Sequence, residues 1–310
     1  MQIIHVQKKT TIDSIQKALA MMKENEVLIQ VGEGTFYEKI KLTTANVTIR
    51  GVSPEKTVLV YDDYALKIHA DGQEYNTFRT YTLMILANNV TLENITIENK
   101  SGPGKLFGQA VALSMIGDMI SLNNVILKGY QDTLFLGPLP RDLITRYQNF
   151  LPKDELIFPK NHRYFITNSK IIGDVDFIFG TGNAFFKDCE IISHATPGYI
   201  TAPATEQDDF YGFTFIDCHF ISENSQANTY LARPWRDYGK AVFINSLFGH
   251  HILEEGWDRW NNSERDKTCR FYEYNSNYQP AKAFKRADFG KILTPTERLL
   301  YTIDKIGFDK

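Results

Sequence analysis

Tyr164-Phe165-Ile166-Thr167-Asn168-Ser169-Lys170-Ile171-Ile172 is a pair of short apolar runs hinged on one asparagine. Apolar and polar side chains alternate on both sides of the hinge, the period-2 pattern of strands with one face in a core. The phrase recurs around Asn94 (Val90 to Ile97), Asn124 (Ile120 to Leu127), Asp188 (Ala184 to Ile192), Asp217 (Phe213 to Ile221) and Asn245 (Ala241 to Phe248). The markers at 94, 124, 168, 188, 217 and 245 are separated by 30, 44, 20, 29 and 28 residues. Strand–bend–strand units at steps of roughly 20–30 residues indicate a solenoid of parallel strands. A sandwich would instead show hairpin signals such as Asn-Gly or Asp-Gly. Asp71-Gly72 is the one such pair, and it precedes the repeats. The expected fold is all-β, a parallel β-helix.

Outside the repeats the chain changes character. Ile12, Ile15, Ala18, Leu19 and Met22 fall at three- and four-residue spacings, which predicts an N-terminal helix over 11–23. Residues 27–31, 35–42 and 47–50 read as strands. The 44-residue step contains an insertion, about 136–162, holding Pro138, Pro140, Pro152 and Pro159. It reads as a long loop beside the following strand. Thr294-Pro295-Thr296-Glu297 starts a C-terminal helix running to about Ile306, with a hydroxyl cap, Pro in the first turn and Glu three residues on. No linker is visible, so 1–310 is expected to be a single domain.

Composition narrows the function classes. A net charge of −3 without a Lys/Arg block argues against nucleic-acid binding. Three scattered cysteines, Cys189, Cys218 and Cys269, form neither a disulfide framework nor a zinc pattern. The 21 Phe and 16 Tyr suit a β-rich chain and a sugar-facing groove. No apolar run reaches membrane-spanning length, and the N-terminus lacks an export signal. The expectation is a monomeric protein with no membrane partner, cytoplasmic if Met1 is the native start and otherwise secreted.

One acid stands out. Asp176 lies inside Gly173-Asp174-Val175-Asp176-Phe177-Ile178-Phe179-Gly180, walled by apolar residues, where a carboxylate needs a partner. Asp132, in Gln131-Asp132-Thr133-Leu134-Phe135, has a similar setting. Gln109 opens the apolar strand Gln109-Ala110-Val111-Ala112-Leu113, and Leu231-Ala232-Arg233-Pro234-Trp235 lies downstream. Stacked rungs bring such distant residues to one groove, making two acids, two amides, one Arg and one Trp a candidate active site. Taken singly, the two glutamines read equally well as amides in a structural ladder.

These four blocks, in this order, resemble the QAVAL, QDTL, DFIFG and LGRPW motifs of the pectin methylesterase (pectinesterase) family. The similarity extends from Gly34-Thr35-Phe36-Tyr37-Glu38 to Gly256-Trp257-Asp258-Arg259-Trp260. It implies a right-handed parallel β-helix that hydrolyses the C6 methyl ester of galacturonate units, in pectin or methylated oligogalacturonides, without metal or cofactor. Asp176 then corresponds to the nucleophile and Asp132 to the acid and later base. Gln131 and Gln109 correspond to the oxyanion donors, and Arg233 to the group that holds and ionises Asp176. Trp235 and Phe179 would flank the sugar, with Phe135 as wall. Trp257 and Trp260 read mainly as packing, Trp257 being placed at the cleft edge.

Three departures from the family pattern stand out: Ala232 in place of Gly, Phe36 in place of Tyr, and the insertion after Asp132. Other readings of the same residues are a β-helix glycosidase using the two acids as its pair, a lyase, or a glycan-binding β-helix without catalysis.

Overall fold

The computed structural model describes residues 1–194, 197–222, 228–261 and 264–307. Its strands pair in parallel from rung to rung and lie in two sheets that curl into a parallel β-helix. The hinge residues explain the curl. Asn94, Asn124, Asn168, Asp188, Asp217 and Asn245 all have φ between 49° and 54°. Asn and Asp tolerate this left-handed conformation better than other residues with a Cβ. Each such residue turns the larger sheet through a corner, so that the strands before and after it pair separately with the next rung. Arg163–Thr167 pairs with Asn183–Lys187, and Lys170–Gly173 with Glu190–Ser193. The corner amides also stack: Asn124 Nδ2 donates to Asn94 Oδ1 at 2.8 Å. Asn275, at φ 49°, continues the series, donating to Asn245 Oδ1 at 3.0 Å.

The second sheet positions the candidate site. Among the described residues it has seven strands, stacked as Ile40–Leu42, Leu83–Ile85, Leu113–Met115, Leu134–Leu136, Val175–Gly180, Gly198–Pro203 and Thr229–Ala232. Its inward side chains, among them Leu134, Leu136 and Ile178, join a core that runs the length of the solenoid. Phe186, Phe215 and Phe243 occupy one register position on successive rungs. Their rings stack at 4.4 and 5.0 Å between centroids, which accounts for part of the Phe content.

The outward face supports a second apolar cluster, and here the structure corrects the reading of the insertion. Residues 141–147 form a helix rather than irregular loop. Leu139, Leu143, Tyr147 and Leu151, four residues apart, press onto Phe78, Phe135 and Phe179. That spacing is a helical stripe, and burying it is what folds the segment down onto the sheet.

Both terminal helices are shorter than expected. The first spans Ile15–Ala20, because Ser14 is extended and accepts a hydrogen bond from the Lys17 N–H, which starts the helix three residues after Ile12, the first residue of the apolar stripe. At the other end the capping box of Thr294 and Glu297 is present, but the helix stops at Arg298 and a second one spans Ile303–Ile306. Between them Tyr301 turns inward against Val242, Ile244 and Leu293, and this burial interrupts the helix.

Candidate active site

Consecutive rungs of the seven-stranded sheet deliver the candidate residues, and backbone hydrogen bonds fix their order. Ala110 N–H donates to the Gln131 carbonyl at 3.0 Å, and Asp132 N–H to the Val175 carbonyl at 3.0 Å. Arg233 N–H donates to Thr201 O at 3.0 Å. Gln109, Gln131–Asp132 and Val175–Asp176 are thus stacked where their strands begin, and Arg233, which follows the strand Thr229–Ala232, reaches back to Asp176 with its side chain.

Both acids sit in the left-handed region, Asp132 at φ 66° and Asp176 at φ 50°. The Asp176 turn is a bulge. Val175 pairs with Tyr199 but Ile178 with Thr201, so the strand holds one residue more than its neighbour. The bulge explains why Phe177 and Ile178, adjacent in sequence, both enter the inner core while Phe179 returns to the outer cluster. Gly180 ends the strand at φ 129°, where an added Cβ would lie 2.0 Å from the Leu136 carbonyl oxygen.

A cleft of about 390 Å³ opens over these residues. Gln109, Gln131, Asp132, Asp176, Phe179, Arg233 and Trp235 all line it. Phe135 lies behind this surface, 1% exposed, with its ring 5.0 Å from that of Phe179. Trp257 is not at the cleft edge: it is 3% exposed inside the solenoid, against Phe243 and Phe271. Trp260, read as packing, lines the cleft instead. Its φ of 55°, with its N–H held by Asp258 Oδ1 at 2.8 Å, turns it away from its neighbour's direction.

The two carboxyls differ in their partners. Arg233 Nε and Nη2 donate to the two oxygens of Asp176 at 2.8 and 2.6 Å, a bidentate fork. The guanidinium is clamped between the rings of Tyr199, at 3.7 Å, and Trp260, at 4.0 Å. Burial pushes the Asp176 carboxyl up, and the fork opposes that push. Asp132 has no such fork. Burial, then the adjacent Asp176 charge, hold its carboxyl well above the ordinary carboxylate range. Both carboxyls, each 7% exposed, are thus raised, Asp132 the further of the two, and the Arg233 fork favours the charged form of Asp176 against its burial.

The Gln131 side chain is held by shape. An added Cβ on Gly104 would lie 2.4 Å from Gln131 Oε1 and 2.7 Å from Gln131 Cβ, so the absence of a side chain there lets Gln131 pack close. Ala232 raises no conformational difficulty, since it lies in the strand Thr229–Ala232, fully buried and paired with Thr201.

The insertion and neighbouring loops complete the rim. Thr77, Phe78, Leu143, Arg146, Tyr147 and Arg236 line the cleft and were not singled out from sequence. The 139–151 stripe carried a signal for the insertion residues, whereas Phe78 and Arg236 carried none. Arg236 forks onto Asp142 at 3.0 and 2.7 Å and so ties the insertion helix to the loop after Trp235. Among the described residues, no helix is long and apolar enough to cross a membrane.

The sequence profile of the Pectinesterase family matches residues 3–138 and 144–306. "Pectinesterase QRT1" of Arabidopsis thaliana is 30% identical over 312 residues, covering 96% of this chain and 74% of the relative. "Probable pectinesterase 8" of the same plant is 28% identical, covering 93% and 69%. Among solved structures, a pectin methylesterase in complex with a hexasaccharide superposes with a TM-score of 0.83 at 25% identity, covering 100% of this chain and 98% of that one.

Proposed function

This chain belongs to the pectinesterase family of carboxylic ester hydrolases, and on that premise we propose that it hydrolyses the C6 methyl ester of galacturonate units, in pectin or in methylated oligogalacturonides. The observation that carries the assignment of roles is the unequal pair of buried acids. Asp176 is forked by Arg233 and Asp132 is not, in a cleft that also holds Gln109 and Gln131.

The ionised Asp176 attacks the ester carbonyl carbon, and the negative charge passes to the carbonyl oxygen. Amide N–H groups of Gln131 and Gln109 receive that oxyanion, a contribution of about 3–4 kcal/mol per donor where geometry is fixed. As the tetrahedral species collapses, the C–OCH₃ bond breaks and Asp132 gives its proton to the departing oxygen, forming methanol. The acyl group is left on Asp176 as a mixed anhydride. Asp132, now a carboxylate, takes a proton from water, whose oxygen attacks the acyl carbon. The bond from the acyl carbon to the Asp176 oxygen then breaks, which restores ionised Asp176 and protonated Asp132, and the product acid leaves and gives its proton to solvent. Phe179 and Trp235, with rings 5.7 Å apart, provide the apolar wall beside the reacting sugar. The coil carrying these residues is read as right-handed, the hand that parallel crossovers almost always take.

Product analysis on highly methylated pectin and on short methylated oligogalacturonides tests the reading. Methanol without new chain ends is expected. New reducing ends would indicate a glycosidase, and unsaturated uronide a lyase.

A further inference from the structure

Arg233 meets Asp176 from two rungs away. Its N–H donates to Thr201 O at 3.0 Å, which sets its backbone two residues past Tyr199 on the strand Gly198–Pro203. Asp176 lies at the other end of that strand, next to Val175, the partner of Tyr199 in register. The Arg233 side chain therefore runs back over Tyr199, and its guanidinium sits 3.7 Å from the centre of that ring, with Trp260 at 4.0 Å. The two rings have different surroundings. Trp260 lines the cleft, whereas Tyr199 is not among the described residues that line it. Tyr199 is instead backed by Tyr230, its partner on the next rung, with the rings 10° from parallel and 5.6 Å between centroids.

The fork onto Asp176 needs such a seat. It keeps both hydrogen bonds only while the guanidinium shares the plane of the carboxylate, and a long side chain has several rotatable bonds through which to lose that match. A second acid competes for it. The negative charge of Asp258 acts on Arg233 and Asp176 alike. An aromatic face 3.7 Å away attracts the guanidinium and blocks its movement on that side.

We propose that Tyr199 is a positioning residue: seated on Tyr230, it holds the Arg233 guanidinium in the plane that orients Asp176 for attack. The inference rests on the esterase reading given above. The action passes through Arg233, and the ring face rather than the hydroxyl supplies it.

The test measures methanol release from one methylated oligogalacturonide against pH. The proteins are the wild type, Tyr199→Phe, Tyr199→Leu, Tyr230→Leu, Arg233→Gln, and Tyr199→Leu combined with Arg233→Gln. Tyr199→Phe keeps the ring and stays within about twofold of the wild type. Tyr199→Leu lowers kcat about tenfold with KM kept. It also moves the acid limb to higher pH. Asp176 is faced by Arg233, Asp258 and Asp174, and its charge is felt at Asp132, so a loosened fork leaves burial and the like charges less opposed. Tyr230→Leu, which removes only the backing ring, gives a smaller change in the same direction. In the Arg233→Gln background, Tyr199→Leu costs less than about twofold more. A Tyr199→Leu protein with wild-type kcat and acid limb overturns the role, as does a fall of equal size in both backgrounds. A Tyr199→Phe protein as slow as Tyr199→Leu assigns the effect to the hydroxyl and overturns it too. No methanol from the wild type overturns the esterase reading, and this inference with it.

Discussion

Replacing Arg233 with glutamine removes the partner that keeps a buried carboxylate charged, and the consequences can be worked out in sign and size. The fork consists of two charge-assisted hydrogen bonds, at 2.8 and 2.6 Å. Bonds of that kind contribute about 1.5–3 kcal/mol each, and a glutamine amide recovers about 1 kcal/mol of the sum. The net loss of roughly 2–5 kcal/mol corresponds to a fall in kcat of about 30- to 5000-fold. Removing Arg233 also lets burial and the charges of Asp258 and Asp174 raise Asp176 further. The acid limb of the pH–rate profile therefore moves to higher pH. The sign for stability follows: a carboxyl whose folded pKa lies above its unfolded value favours the fold at low pH, and that contribution disappears as pH rises through the folded pKa. Arg233→Gln is thus closest to wild-type stability under acid conditions and loses most under alkaline ones, up to about 3–5 kcal/mol where Asp176 is charged and unpaired. Methanol release and the thermal midpoint are measured across the pH range. A fall below about threefold with an unmoved acid limb would refute the reasoning.

In the proposed mechanism Asp132→Asn removes the acid that begins protonated, so the alkaline limb of the rate profile is expected to vanish together with most of the activity. Since the folded pKa of Asp132 is raised, the variant gains thermal stability over the wild type under alkaline conditions, read from midpoint against pH. Gly104→Ala pushes its Cβ into Gln131 and lowers kcat by roughly tenfold or more, with the thermal midpoint nearly kept; removal of a fixed oxyanion donor sets the upper scale. In the insertion, Leu143→Ala costs about 2–4 kcal/mol through the cavity under the helix. Asp142→Asn costs less than about 1 kcal/mol because its ion pair with Arg236 is mostly exposed. Denaturant titration and limited proteolysis of 139–160 separate the two.

The repeat was legible because a solenoid asks the same thing of every rung: two short strands and a residue that accepts positive φ between them. Asn168 and its counterparts carry that demand openly, as does Asn275, which the spacing could have added. The candidate acids were legible for a related reason, since Asp132 and Asp176 interrupt apolar strands at positions where the backbone turns left-handed. What stayed hidden depends on tertiary direction. Trp257 and Trp260 are three residues apart in one motif, yet the positive φ at Trp260 sends one into the cleft while the other fills the core. The insertion looked irregular because its prolines drew the eye from the four-residue spacing of Leu139, Leu143, Tyr147 and Leu151. Arg236 is an ordinary surface residue in sequence and acquires its place through Asp142, 94 residues away.

The account turns on Asp176 as the attacking group. Methanol release from a methylated oligogalacturonide by equal amounts of folded wild type and Asp176→Asn tests this most directly. The account predicts steady release by the wild type and a loss of at least about 10³-fold in the variant, since an amide in that place cannot form the acyl intermediate. Release by Asp176→Asn within about tenfold of the wild type would contradict it and move the nucleophile to another group.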